Sequence, residues 1–226
     1  MTALPTKTAD KGFTLIELSI SLLIIGLLSS GLIVGLAAQR SISDAQLAQK
    51  QLDEIREVLI GFALSNGRLP CPAKATLSST DAQAGREDCS LQHGVVPWVS
   101  LSIQESDPWS NRFTYYASDR FTGALPSGGS ASFTLETVGN ANLLDSNGKT
   151  LAADLPAVIV SHGRNSAGAY NSSGMHISGA NSEENENADA DLTFIMHTPT
   201  PSFDDQVSWL IPSVLKSRMV SAGKPP

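Results

Sequence analysis

Glu17 is a carboxylate set against an unbroken uncharged, mostly apolar run, Leu18 to Ala38. A charged side chain at the centre of a bilayer-spanning helix costs about 2.5–3.5 kcal/mol on insertion scales, so such an acid marks a function and needs a partner. The bond between Gly12 and Phe13, just upstream, can supply one. A cut there turns the Phe13 nitrogen into an ammonium group at the depth of Glu17, able to pair with it in the same or a neighbouring copy.

The two cysteines, Cys71 and Cys89, enclose just under twenty residues. A disulfide between them would contribute about 3 kcal/mol by constraining the unfolded chain, and it persists only in an oxidising compartment such as the periplasm. The alternative is a pair of buried thiols. A third grouping is acidic: Glu183, Glu184, Glu186, Asp189 and Asp191 crowd together just before a strand-like segment. Like charges this close repel unless a cation or solvent screens them. Calcium takes six to eight oxygen ligands in flexible geometry, and Asn181, Asn185 and Asn187 add further oxygens. The alternative is an acidic loop facing water.

Catalytic patterns are missing. The four histidines, His93, His162, His176 and His197, have no metal-ligand spacing, and the cysteines lack the C-x-x-C arrangement. There is no G-x-S-x-G elbow, P-loop or dinucleotide fingerprint. Ser161 and His162 are adjacent, but neighbours on a strand point to opposite faces. A non-enzymatic protein is expected. The net charge of -7 and the 6% aromatic content give no broad basic surface for nucleic acid.

The elements that carry these residues begin with the apolar run, long enough at 1.5 Å per residue to cover the roughly 30 Å hydrocarbon core of a bilayer. Lys7, Lys11 and the chain's amino group outweigh Asp10 upstream, which leaves the short leader cytoplasmic and exports the rest. A secretory signal would be cut after its apolar region, next to small residues. Here the run passes directly into a patterned helix. A plain anchor has no use for Glu17.

The stretch KGFTLIELSISLLIIG, Lys11 to Gly26, resembles the signature of type IV prepilins and type II secretion pseudopilins. The resemblance implies cleavage between Gly12 and Phe13 by a prepilin peptidase, N-methylation of Phe13, and Glu17 as the assembly residue that sets subunit register. Implied partners are other pilin or pseudopilin subunits and an inner-membrane assembly platform. The implied location is the bacterial inner membrane, with a periplasmic head, and then a pilus or pseudopilus filament. Val34 stands where many major pilins carry proline, which points to a minor subunit. The alternative is a membrane-tethered ligand-binding or adhesion module at a filament tip, for which NSSGMHISGANSEENENADAD is the candidate region.

Beyond Arg40, Ala45, Ala48, Leu52, Ile55, Leu59 and Phe62 recur at spacings of three and four among charged residues, which predicts an amphipathic helix. Ser65-Asn66-Gly67 should end it, since glycine adopts the left-handed cap, with Pro70 just beyond. Strands are expected within Arg112–Ala117, Ser132–Val138, Ala157–Ser161, Leu192–His197 and Gln206–Leu210, each bounded by turn residues. A long helix followed by short strands predicts an α+β fold with an antiparallel sheet laid on the helix. The resulting divisions are a leader (1–12), a membrane and assembly half of the helix (13–38), an amphipathic half (39–66) and one globular head (67–226).

Within the head, D-P-W-x-N-x-F-x-Y from Asp107 resembles the matching stretch of the type II secretion major pseudopilin. VSHGRNSAG and ENADAD resemble that protein's C-terminal loop. This resemblance implies calcium held near Asp189 and Asp191, although Asn165 stands where that family usually has Asp and the intervening segment is longer.

Overall fold

The computed structural model describes residues 12–179 and 181–226, with side chains described for all of these except 29–38. The leader therefore lies outside the described residues apart from Gly12. The chain divides into two compact units, residues 1–43 and 44–226. Helix α1 (Leu15–Asn66) begins in the first and ends in the second.

In the first unit, Leu15, Ile16, Leu18, Leu22, Leu23 and Leu28 are all exposed. Among the described residues no helix is long and apolar enough to cross a membrane. The run expected to do so, Leu18 to Ala38, extends over residues 29–38, whose side chains lie outside the described ones.

The second unit is built around a four-stranded antiparallel sheet. Its elements after α1 are β1 (His93–Val95), α2 (Trp98–Leu101), β2 (Asn111–Arg112), β3 (Thr114–Ala117), α3 (Asp119–Thr122), β4 (Ala141–Leu144) and β5 (Thr150–Leu155). Then come β6 (Ala157–Ser161), β7 (Tyr170–Asn171), α4 (Ser182–Glu186), β8 (Thr193–Ile195), β9 (Gln206–Trp209) and α5 (Pro212–Ser221). The main sheet runs β1-β3-β6-β9. A smaller one runs β5-β4-β8, where β4 and β8 pair in parallel, a departure from the purely antiparallel expectation.

Side-chain alternation explains how one sheet serves two cores. Tyr115, Ala117 and Ile159 turn to the cluster containing Leu52, Ile55, Leu59 and Ala63 of α1 and Leu215 and Met219 of α5. Tyr116, Val158, Val160 and Val207 turn to Leu143, Leu155 and Phe194 of the smaller sheet. Strand β6 is buried at every position, which is why its sequence, AVIVS, is almost continuously apolar. The helix that covers the main sheet ends as the sequence predicts. Gly67 adopts φ +69, its N–H donates to the Ala63 carbonyl at 2.8 Å, and a Cβ there would strike the Ser130 carbonyl.

The disulfide Cys71–Cys89 is formed. The loop it closes is pinned at both ends. Arg68 donates two hydrogen bonds to the Glu87 carboxylate, each 2.9 Å, and Glu87 also accepts from the Cys71 N–H. Arg112, fully buried, holds the middle: it donates to the Ala75 and Leu77 carbonyls, to Ser79 Oγ and to the Ser172 carbonyl, pairs with Glu105 at 2.8 Å, and lies over the Trp98 ring.

Two expectations need correction. Residues 132–138 form no strand: Lys216 Nζ donates to the Leu135 and Thr137 carbonyls, and Thr134 and Thr137 bond to each other in a turn. Carbonyls satisfied by an amine and locally bonded hydroxyls leave no ladder to form. The segment between Ala141 and Leu155, for which no strand is expected, supplies β4 and β5 instead.

Candidate functional site

The N-terminal site is local. Thr14 precedes the first helical residue; its Oγ1 accepts from the Glu17 N–H at 3.2 Å, and Glu17 Oε2 in turn lies 3.4 Å from that hydroxyl and 3.5 Å from the Thr14 N–H. This is the reciprocal arrangement of a capping box, in which the cap residue and the acid three positions later satisfy each other's backbone donors. Glu17 thus has a task in the isolated chain as well as a charge to offer. Ser19 and Ser21 return their hydroxyls to the carbonyls of Ile16 and Glu17, so the polar groups of this turn are spent on the backbone. Phe13 is 81% exposed and, among the described residues, nothing crowds Gly12, so these leave the Gly12–Phe13 bond sterically open.

The residues expected near calcium, Asp189 and Asp191, are both exposed. Each folds onto its own backbone: Asp189 Oδ1 accepts from the Asp191 N–H, and Asp191 Oδ1 accepts from the Thr193 N–H. Both lie close enough to His93 to favour its charged form, but burial outweighs them and lowers its pKa. Burial raises the Glu186 carboxyl, and Asp191 and Asp189 push the same way.

The structure gathers a different acidic set. One carboxylate oxygen from each of Glu184, Asp204 and Asp205 lies within 4.8 Å of the others. Glu184 sits on α4, whose first N–H groups are capped by Asn181; Asp204 and Asp205 sit just before β9. Asn165 bridges the set, donating its side-chain N–H to Glu184 Oε1 at 2.6 Å and its backbone N–H to Asp204 Oδ2 at 3.1 Å. Gly163, at φ +59, lets Asp204 in, since a Cβ there would collide with that carboxylate. The sequence reading named Glu184 and missed the other two. The available signal was the pair of adjacent acids, Asp204-Asp205, directly preceding a β-like run.

The remaining polar groups have structural work. Asp107 Oδ1 accepts from the Trp109 and Asn111 N–H groups and Oδ2 from Ser161 Oγ; burial raises its carboxyl although these hydrogen bonds oppose the rise. That one side chain accounts for the D-P-W-S-N turn. Ser161 and His162 point apart, since His162 Nε2 meets Thr114 Oγ1 at 2.7 Å.

No curated protein and no solved structure matches the chain. The open Gly12–Phe13 bond, the acid at Glu17 and the exposed apolar turns that follow lie within residues 7–33, which match the prokaryotic N-terminal methylation motif, so the chain carries the prepilin signal of type IV pilins and pseudopilins.

Proposed function

We propose that this protein is a structural subunit, of the minor class, of a type IV pilus-like filament or type II secretion pseudopilus. Prepilin peptidase cuts after Gly12 and Phe13 becomes N-methylated. The mature chain is held in the inner membrane by residues 13–38 with its head in the periplasm, until the assembly platform draws it into a filament with other subunits. The observation that carries this reading is the methylation motif at residues 7–33, placed at the start of a helix whose first large apolar side chains, among them Leu15, Ile16, Leu22, Leu23 and Leu28, are exposed. Exposed apolar surface of this kind needs lipid or other helices to cover it. Intact-mass and N-terminal analysis of the membrane-extracted protein is expected to find a chain beginning at methylated Phe13. A chain retaining its first twelve residues in assembled material would overturn the reading.

A further inference from the structure

We propose that the pocket between β1, β7 and the segment joining α4 to β8 binds a lysine side chain presented by a partner protein.

The first argument is shape. The pocket has a volume of about 230 Å³ and is lined by Leu91, His93, Tyr170, Ala188, Ala190 and Phe194, with Lys74 and Thr114 among its polar residues. Sites that enclose a whole drug-sized ligand measure roughly 300–1,000 Å³. A single long side chain suits the smaller space. Rings hold its walls in place: the His93 centroid lies 4.7 Å from that of Tyr116, Tyr116 lies 6.1 Å from Phe194, and Tyr170 lies 5.0 Å from His176. The Asn187 amide on the lining has its donors spent on the Ile195 carbonyl and on Asp205 Oδ2, so it has none to offer an anion. An apolar stem gains by burial against such walls.

The second argument is charge. Asp189 and Asp191 flank Ala190 on the lining. Each spends Oδ1 on its own turn, Asp189 on the Asp191 N–H and Asp191 on the Thr193 N–H, and among the described residues neither Oδ2 has a partner. No lysine or arginine among those residues pairs with either acid. Burial lowers the His93 pKa while Asp191 and Asp189 act against it, so both carboxylates lie near the wall that His93 forms, and its ring is neutral near pH 7. Lys74 is exposed, and its charge reaches Asp88 in the disulfide loop. The rim is left net negative.

The chemistry then selects the side chain. Aromatic faces and unpaired carboxylates both attract a cation. A guanidinium fork is matched best by the two oxygens of one carboxylate, and here each acid has only one oxygen free. An ammonium is a compact point charge on a flexible four-carbon stem. A lysine lying along the pocket rests that stem on Leu91, Ala188 and Phe194 and brings its charge to Asp189 and Asp191.

The test uses the full chain in detergent with chelator present, and reads binding by saturation-transfer NMR of three probes: N-acetyl-lysine amide, the uncharged N-acetyl-norleucine amide and the anionic N-acetyl-glutamate amide. The lysine probe is expected to bind at least about tenfold more tightly than either of the others and to weaken as salt rises. Asp189→Asn with Asp191→Asn, which keeps both Oδ1 acceptors, should weaken it by about fivefold or more. Tyr170→Leu should weaken it by about threefold or more. Melting temperatures show whether each variant is folded, and the contrast among the probes on the unmutated chain needs no substitution. No transfer to the lysine probe at millimolar concentration would overturn the proposal, as would norleucine amide binding equally well or glutamate amide binding better. Lysine binding unchanged in both folded variants would overturn it too. Binding is read on the purified chain, so the result is independent of filament assembly.

Discussion

At the scale of single residues, Glu17 carries two separable properties. Its carboxylate completes the box with Thr14, and its charge is available to the ammonium group that cleavage would create at Phe13. Glutamine serves at the capping position as glutamate does but carries no charge, so two substitutions distinguish the roles. Glu17→Ala and Glu17→Gln are both expected to leave membrane insertion and head folding intact, since each removes a charge from an apolar segment, and both should sharply reduce the yield of sheared filaments. Normal assembly by Glu17→Gln would show that the cap alone matters. A lone acid bordering an apolar run makes Glu17 stand out in the sequence, but its cap with Thr14 was not read there. Arg112 was not legible: its burial depends on acceptors from residues 75, 77, 79, 105 and 172, which only the folded chain brings together. The cysteine pair was legible as two alternatives, and the fold selects the disulfide.

At the scale of elements, the buried stripe of α1 is the feature most fully written in the sequence. Of the stripe Ala45, Ala48, Leu52, Ile55, Leu59 and Phe62, the middle four are buried and the two ends half-buried, with Ile60 and Ala63 buried beside them, while Leu47, off the stripe, is 45% exposed. Leu59→Ala should lower the stability of the folded head by about 2–5 kcal/mol, the usual cost of a large-to-small change in a core. Leu47→Ala should change it by no more than about 0.5 kcal/mol, as surface substitutions do. Denaturant unfolding of the full chain in detergent, followed by tryptophan fluorescence, measures both; equal effects would mean that the stripe does not face the core. Strands were read less evenly. Strand β6 announces itself because both of its faces are buried, whereas β5 is exposed or half-exposed along most of its length and so lacks a clear apolar pattern. Residues 132–138 have strand-like composition, but their carbonyls answer to Lys216, a partner some eighty positions away that no local pattern reveals.

For the whole molecule, two unrelated features support the proposed placing of the head outside the inner membrane. Lys7 and Lys11 against Asp10 favour a cytoplasmic leader, because basic residues flanking an apolar run stay inside. The Cys71–Cys89 disulfide independently favours an oxidising compartment for the head, because cytosolic reductants keep thiols free. Charge acts during insertion and the disulfide acts after folding, so their agreement reflects two separate constraints. The consequence is a topology that can be measured. In intact spheroplasts, added protease is expected to digest or nick the head, and a membrane-impermeant thiol reagent should label neither cysteine until a reductant is added. Labelling after mild reduction, without lysis, would place the cysteines on the outer side. The loop closed by the disulfide is where the effect of reduction should concentrate, because losing the bond removes about 3 kcal/mol of unfolded-state constraint while Arg68–Glu87 and Arg112 still hold the native segment. Reduced protein should therefore keep its fold at moderate temperature and melt earlier than the oxidised form. A head that resists protease until the cells are lysed, with both cysteines reactive at once, would put it in the cytoplasm and remove the basis for its assembly into an external filament.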